Sequence, residues 1–167
     1  LPELTRYSKH PKIRVGYFSA DFRIHPVATL TAELYELHDR EQFEIHAFSF
    51  GPDTNDEMNL RIKAGVDHFH NVREMSHKDL AMFARSLEID IAMDLGGYTA
   101  NSRTQIFAMS VAPIQINYIG YLGSLGSSYY DYLIADQIMI PKKNQKYFAE
   151  KIVYLPNFQV NDSTESP

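Results

Sequence analysis

The amino-acid sequence predicts an α/β fold in which a doubly wound, mostly parallel sheet carries helices on both faces. Three observations lead to this prediction. Short segments rich in β-branched and aromatic residues alternate with segments whose apolar residues recur every three or four positions. The strand-like segments are almost continuously apolar, which is typical of strands buried on both faces of a parallel sheet. Polar and glycine-containing turns follow them, as in sheets that bind ligands at the carboxyl ends of their strands.

The first half of the chain supplies three predicted strands and two helices. The strands lie at residues 13–19, 43–50 and 68–72, and the helices at residues 27–37 and 57–64. Leu30, Leu34 and Leu37 give the first helix one apolar face because they are four and three positions apart. Gly51 and Pro52 end the second strand.

The second half continues the same alternation. A helix is predicted to begin after Ser76, which with Asp79 forms a pattern similar to a capping box. Another helix is predicted at residues 103–109, before Pro113. Four further strands are predicted at residues 89–95, 114–119, 132–135 and 151–155.

The amino-acid composition argues against several functional classes. The 167 residues suit one globular domain, and 44% of them are hydrophobic. Lys plus Arg number 16 and Asp plus Glu number 21, so the net charge is −5, which does not favour a nucleic-acid partner. The chain has no cysteine, which excludes a disulfide-built secreted module. No apolar run is long enough for a bilayer, so no membrane partner is expected. The cysteine content does not decide the compartment, and the expected location is cytoplasmic.

The predicted organisation is one domain with two flanking segments. Residues 13–158 are assigned to the domain, residues 1–12 to an N-terminal extension and residues 159–167 to a polar tail or linker. The chain opens without methionine and closes on that polar run. We therefore expect a fragment of a longer protein.

His25 is the candidate with the most versatile chemistry after the first strand. An imidazole with an ordinary pKa near 6.5 can accept or share a proton at neutral pH. Pro26 suits the first position of a helix and biases His25 to an extended backbone. The helix N-terminus disfavours the imidazolium form, which makes a neutral ring plausible. The alternative interpretation is a capping or surface histidine.

Two glycine-containing turns follow the later strands. They are residues 96–99, and residues 120–126 with Gly120, Gly123 and Gly126 spaced by three. Their backbone N–H groups could approach an anionic or sugar ligand, or the glycines could serve only tight turns and packing. Neither turn carries the G-x-G-x-x-G or phosphate-loop spacing.

Other polar residues give weaker signals. His68 and His70 alternate on a predicted strand and point to one face, but the sequence shows no third zinc ligand nearby. Arg103 could bind a carboxylate or phosphate group of a ligand, or it could cap the loop by contacting Asp94 or Asp136. We favour the second interpretation. The other histidines are interpreted as surface or packing residues; they are His10, His38, His46 and His77.

Four ordered segments carry a resemblance to a known family. They are RVGYFSADFRIHP at residues 14–26, DLGGYTANSR at 94–103, APIQINYIGYLGSLG at 112–126 and DYLIAD at 131–136. Together they resemble the catalytic region of the protein O-linked N-acetylglucosamine transferases, which the plant Spindly proteins share. The match covers nearly the whole chain.

The resemblance implies one half of a two-domain GT-B glycosyltransferase built from two facing Rossmann-like halves. This chain would be the acceptor-side N-terminal half of an inverting enzyme that moves N-acetylglucosamine from its uridine diphosphate (UDP) donor to protein Ser and Thr hydroxyls. No metal is expected. The implied partners are an acceptor protein or peptide, the missing C-terminal half with most UDP contacts, and upstream tetratricopeptide repeats. The alternatives are a Spindly-type protein O-fucosyltransferase and a non-catalytic flavodoxin-like binding module.

The resemblance also implies the roles of individual residues. His25 matches the active-site histidine, viewed either as the catalytic base or as a contact to sugar and acceptor. Gly120 and Tyr121 match the loop that approaches the donor sugar, where Leu122 replaces the usual proline and thereby restores an N–H. Thr99 matches a polar position of the cleft. The full set of expected substrate-binding residues is Asp21, Pro26, Tyr98, Thr99, Gly120, Tyr121, Leu122 and Gly123.

Overall fold

A computed structural model describes residue 1 and residues 3–158. The predicted tail at residues 159–167 lies outside the described residues, and residues 3–12 form no regular element. The strands are β1 (Ile13–Ser19), β2 (Phe43–Ser49), β3 (His68–Asn71), β4 (Ile91–Asp94), β5 (Ile114–Asn117), β6 (Tyr132–Ala135) and β7 (Lys151–Tyr154). The helices are α1 (Pro26–Leu37), α2 (Glu57–Gly65), α3 (His77–Ser86) and α4 (Gln105–Ala108), with a 3-10 helix at Lys142–Tyr147.

The strands form one sheet in the order β3-β2-β1-β4-β5-β6-β7, and every neighbouring pair is parallel. The predicted α/β class is therefore confirmed. Its strand order reverses direction between β1 and β4, because the chain first builds outward to β3 and then returns to the other side of β1. The loops that follow β1 and β4 therefore leave these neighbouring strands in opposite directions. In this fold class such loops open a crevice at the carboxyl ends of the two strands, where ligands bind.

The helices cover both faces of the sheet. Alternation along β1 sends Val15 and Tyr17 to the face covered by α1 and α2, and Phe18 to the face covered by α3 and α4. Tyr35 and Phe107 are fully buried on these two faces. The longest helix in the described part of the chain has 12 residues, and none there is long and apolar enough to cross a membrane.

The predicted elements differ from the observed ones mainly at their ends. The predicted N-cap at Ser76 is confirmed, since its Oγ accepts the N–H of Asp79 at 3.1 Å and its hydroxyl donates to the Asp79 carboxylate at 2.6 Å. The helix α4 is shorter than the predicted 103–109 at both ends, and the left-handed φ of 56° at Ser110 ends the helical path after the C-cap residue Met109. The 3-10 helix was not predicted.

Candidate active site

His25 occupies the junction between the β1 loop and α1. Its backbone is extended, with φ −162° and ψ 146°, and Pro26 is the first helical residue as predicted. The ring Nδ1 accepts the N–H of Val27 at 3.2 Å, so His25 is the N-cap of α1. An imidazole that accepts at Nδ1 carries its proton on Nε2 when neutral. Nε2 lies 3.8 Å from Oδ2 of Asp21, and 34% of the His25 side chain is exposed.

The β1 loop is held in place by the start of α2. The carboxylate of Asp56, itself the N-cap of α2, accepts the N–H of Ile24 at 3.0 Å. The buried Asn59 donates its amide to the carbonyl of Phe22 at 2.6 Å. The loop that presents His25 is therefore fixed from the neighbouring crossover rather than by the helix cap alone.

A buried aspartate shapes the turn after β4. Oδ1 of Asp94 accepts the N–H groups of Gly96 and Gly97 at 2.9 and 3.0 Å, and Oδ2 accepts the hydroxyl of Tyr130. Burial and the nearby carboxylate raise the pKa of Tyr130, so the phenol keeps its proton and donates. The N–H groups of Gly96 and Gly97 are therefore already hydrogen-bonded within the chain. Of the two alternatives that the sequence left open, the structure supports tight turning for Gly96 and Gly97.

The two glycine turns pack directly against each other. A Cβ on Gly120 would lie 1.9 Å from the carbonyl oxygen of Leu95, and a Cβ on Gly97 would lie 2.6 Å from the side-chain Cβ of Tyr121. The rings of Tyr98 and Tyr121 meet edge to face with their centroids 5.6 Å apart. Glycine is required where the backbones approach this closely.

Replacing Gly120 by Ala is expected to lower the free energy of unfolding by about 1–3 kcal/mol, because the new methyl group overlaps a backbone oxygen that cannot move independently. Urea denaturation followed by circular dichroism measures the change. Gly96→Ala is the matched control, since its Cβ would meet nothing closer than 3.4 Å. Equal stability of the two variants would contradict this account of the turn.

Asn117 supports the second turn from below. It is fully buried at the end of β5 and donates its amide to the carbonyls of Tyr121 and Gly123, at 3.2 and 3.4 Å. Leu122 therefore stands at the tip of a fixed loop, with 51% of its surface exposed. Glu150 anchors the far side of the same loop by accepting the Leu125 N–H at 2.6 Å.

The remaining expected substrate-binding residues lie along the same rim. Tyr98 is 52% exposed and donates its hydroxyl to the carbonyl of Leu125 at 2.8 Å, and Thr99 donates its own to the carbonyl of Gly96 at 2.9 Å. Phe18 pairs with Asp94 across β1 and β4, so the His25 loop and these turns leave adjacent strands at one edge. Among the described residues, hydrogen bonds join the two glycine turns to each other but do not join either turn to His25.

Two open surface cavities lie at the opposite edge of the sheet. One cavity lies at the amino ends of β5 and β6, lined by Pro113, Gln115 and Asp131 among others. Another lies at the amino ends of β1 and β4, lined by Ile13 and Ile91 among others. The His25 loop and the two glycine turns instead form an open rim at the carboxyl edge of the sheet. The candidate site in this domain is therefore not located in either of these cavities.

The comparison with known proteins decides the family. Residues 3–165 match the model of Glycosyl transferase family 41. The chain belongs to this family. It is 37% identical over 152 residues to a probable UDP-N-acetylglucosamine–peptide N-acetylglucosaminyltransferase, SEC, of Arabidopsis thaliana, covering 90% of this chain and 16% of that protein. The corresponding transferase of Caenorhabditis elegans is 32% identical over 158 residues, with 92% and 14% covered.

A solved structure extends the match to three dimensions. A mutant O-GlcNAc transferase of Thermobaculum terrenum superposes with a TM-score of 0.86 at 30% identity, over 90% of this chain and 29% of that one. The resemblance found in the sequence and the Rossmann-like fold it implied are thereby confirmed. This family 41 chain spans less than a third of the length of each of these relatives.

The buried groups that shape the site of this family 41 domain were missed by sequence reasoning. Asp94, Asn117 and Glu150 each hold a turn from inside, and Tyr130 joins Asp94 from 36 residues away. One signal was available for Asp94. An acidic residue at the end of a strand and two positions before a glycine is typical of a side chain that accepts the N–H groups of its own turn.

Arg103 has a different role from the one predicted. Its guanidinium donates to the carbonyls of Met75 at 2.7 Å and Val72 at 3.4 Å, and so caps neither Asp94 nor Asp136. The reason is the packing of α3 against α4, which brings Arg103 over the turn that precedes α3. The prediction of a cap to either aspartate was wrong.

The histidines of β3 do point to one face, with rings 6.1 Å apart and nearly parallel. The neighbouring strand β2 supplies further possible metal ligands that the sequence did not reveal. His46 and Glu44 share that face of β2, and the register places His46 beside His68. Ligand atoms of Glu44, His46 and His68 all lie within 4.8 Å of one another. The statement that no third ligand lies nearby was therefore wrong.

Proposed function

We propose that this chain is the acceptor-side half of an inverting glycosyltransferase that moves N-acetylglucosamine from its UDP donor to Ser and Thr hydroxyls of proteins. Family 41 membership supports the reaction class, and the activities for which the relatives are named support the donor and the peptide acceptor. The observation that carries the proposal is the placement of His25 on the sheet edge shared with the two glycine turns, at the point where the strand order reverses.

The transfer reaction places three requirements on the enzyme. Inversion means that the acceptor oxygen bonds to the anomeric carbon as the bond from that carbon to the diphosphate oxygen breaks on the opposite side. The hydroxyl proton must leave, the two reactants must be aligned, and the charge on the departing diphosphate must be stabilised. The open rim of this domain suits alignment. We assign the diphosphate contacts to the C-terminal half, and we expect no metal in this reaction.

The hydrogen bond of His25 favours one of its two possible roles. Because Nδ1 accepts the Val27 N–H, the neutral ring presents Nε2–H, which donates rather than accepts. Asp21 lies near this edge of the ring and supports that orientation. We therefore assign His25 as a hydrogen-bond donor to an oxygen of the sugar or the acceptor, and not as the base.

The other rim residues are proposed to receive the sugar. Gly120, Tyr121 and Gly123 form a fixed wall, and the exposed side chain of Leu122 offers an apolar contact for the acetyl group. Tyr98 and Thr99 line the other side of the turn, and Pro26 fixes the start of the helix behind His25. The proposed partners are an acceptor protein, the C-terminal half and upstream tetratricopeptide repeats, in a cytoplasmic enzyme.

The proposal is tested by assaying the full-length protein with UDP-N-acetylglucosamine and Ser/Thr peptides, followed by mass spectrometry of the products. A mass increase of one N-acetylhexosamine is expected, and the isolated 167-residue chain should give none because it lacks the diphosphate contacts. A deoxyhexose from a GDP-fucose donor instead would identify an O-fucosyltransferase. Absence of transfer from either donor would contradict the enzyme assignment in favour of a binding module.

A further inference from the structure

We propose that Glu44, His46 and His68 bind one divalent transition-metal ion, such as Zn²⁺, at the edge of the sheet. The three residues supply two imidazoles and one carboxylate, a donor set that suits such ions. The site lies across β2 and β3 and is separate from the rim at the carboxyl edge. It does not depend on the proposed transfer reaction.

The geometry is close to that of a bound ion. Oε1 of Glu44 lies 2.9 Å from Nε2 of His68 and 3.4 Å from Nε2 of His46. Ligands at about 2.0–2.1 Å from a tetrahedral metal lie about 3.3 Å from one another. Only small side-chain rotations therefore separate the observed arrangement from a coordinating one. Strand pairing fixes His46 beside His68, so the backbone needs no change.

The state of His46 is the second and independent observation. Its side chain is 4% exposed, and its Nε2 has no hydrogen-bond partner although it faces the carboxylate. A buried ring nitrogen without a partner is costly, and a metal ion would satisfy it. The other nitrogen, Nδ1, lies 3.1 Å from Nε2 of His70. A metal-binding histidine usually donates its second N–H to such a neighbour, which fixes the tautomer.

The carboxylate is oriented in a similar way. Oε2 of Glu44 accepts from Nε of Arg14 at 3.3 Å, which leaves Oε1 directed at the two imidazoles. The positive charge of Arg14 opposes a cation, so moderate rather than very tight binding is expected. His68 is 48% exposed, which gives an ion and a fourth water ligand access from solvent. Binding would clamp the four-residue edge strand β3 to β2.

The test is calorimetric titration of tag-free, chelator-treated protein with Zn²⁺, together with the visible spectrum of Co²⁺. One Zn²⁺ per chain is expected, as are tetrahedral Co²⁺ bands that Zn²⁺ abolishes and excess Mg²⁺ does not. Zn²⁺ should also raise the melting temperature, since it binds the folded chain. His68→Ala and Glu44→Gln should each weaken Zn²⁺ binding by at least tenfold.

His77→Ala is the matched control, because it removes a histidine outside the cluster and should leave Zn²⁺ affinity unchanged. Circular dichroism and the melting temperature without metal confirm that each variant is folded. Stoichiometric binding that survives both His68→Ala and Glu44→Gln would place the ion elsewhere and overturn the proposal. So would the absence of Zn²⁺ binding by the folded, unmodified protein.

Discussion

Replacing His25 by Ala in the full-length protein is expected to lower kcat for N-acetylglucosamine transfer by about 10²–10³-fold, which is the usual effect of removing one donor aimed at the reacting groups. The ring Nε2–H is the group removed. Initial rates against peptide concentration separate kcat from KM. The same change also removes the N-cap of α1, which costs about 1 kcal/mol of stability.

The cap and the donor can be separated by a second variant. Asn is among the best N-cap residues, and its side-chain oxygen can accept the Val27 N–H in place of Nδ1. His25→Asn should therefore recover the stability lost in His25→Ala but not the activity, because it lacks the Nε2–H. If His25→Asn regains the kcat of the unmodified protein, the imidazole acts only on the helix and the assigned role is wrong.

Local patterns predicted the framework of this domain well. The continuous apolar run in β1 predicted a buried parallel strand, and the His25–Pro26 pair predicted a helix start at the end of a loop. Both are determined by residues within a few positions of each other. The parallel fold also predicted that the candidate site residues gather at one edge, since turns after neighbouring strands meet there.

The errors share a different physical origin. Tyr130 reaches Asp94, Arg103 reaches Met75, and Glu44 reaches His68 only after the sheet has assembled. Such pairs depend on strand register and helix packing, which no local pattern encodes. Sequence reasoning therefore located the glycine turns but left open whether their N–H groups serve a ligand or the turn itself, whereas in the structure a buried carboxylate accepts two of them.

Replacing Asp94 by Ala is expected to have the largest effect on stability, a loss of about 3–5 kcal/mol in the free energy of unfolding. The variant leaves the N–H groups of Gly96 and Gly97 and the hydroxyl of Tyr130 without their shared acceptor, and each unsatisfied buried donor costs about 1–3 kcal/mol. Urea denaturation measures the loss.

Asp94→Asn provides the matched comparison, because its remaining oxygen can still accept from Gly96 and Gly97 while the amide faces Tyr130. It should cost less than half as much as Asp94→Ala, and Tyr130→Phe should cost about 1.5–3 kcal/mol, the usual value of one hydrogen bond to a charged acceptor. Equal losses in Asp94→Ala and Asp94→Asn would show that the negative charge, and not the acceptor geometry, stabilises the turn. The 96–99 turn would then owe its stability to the charge of Asp94 rather than to the two hydrogen bonds that its carboxylate accepts.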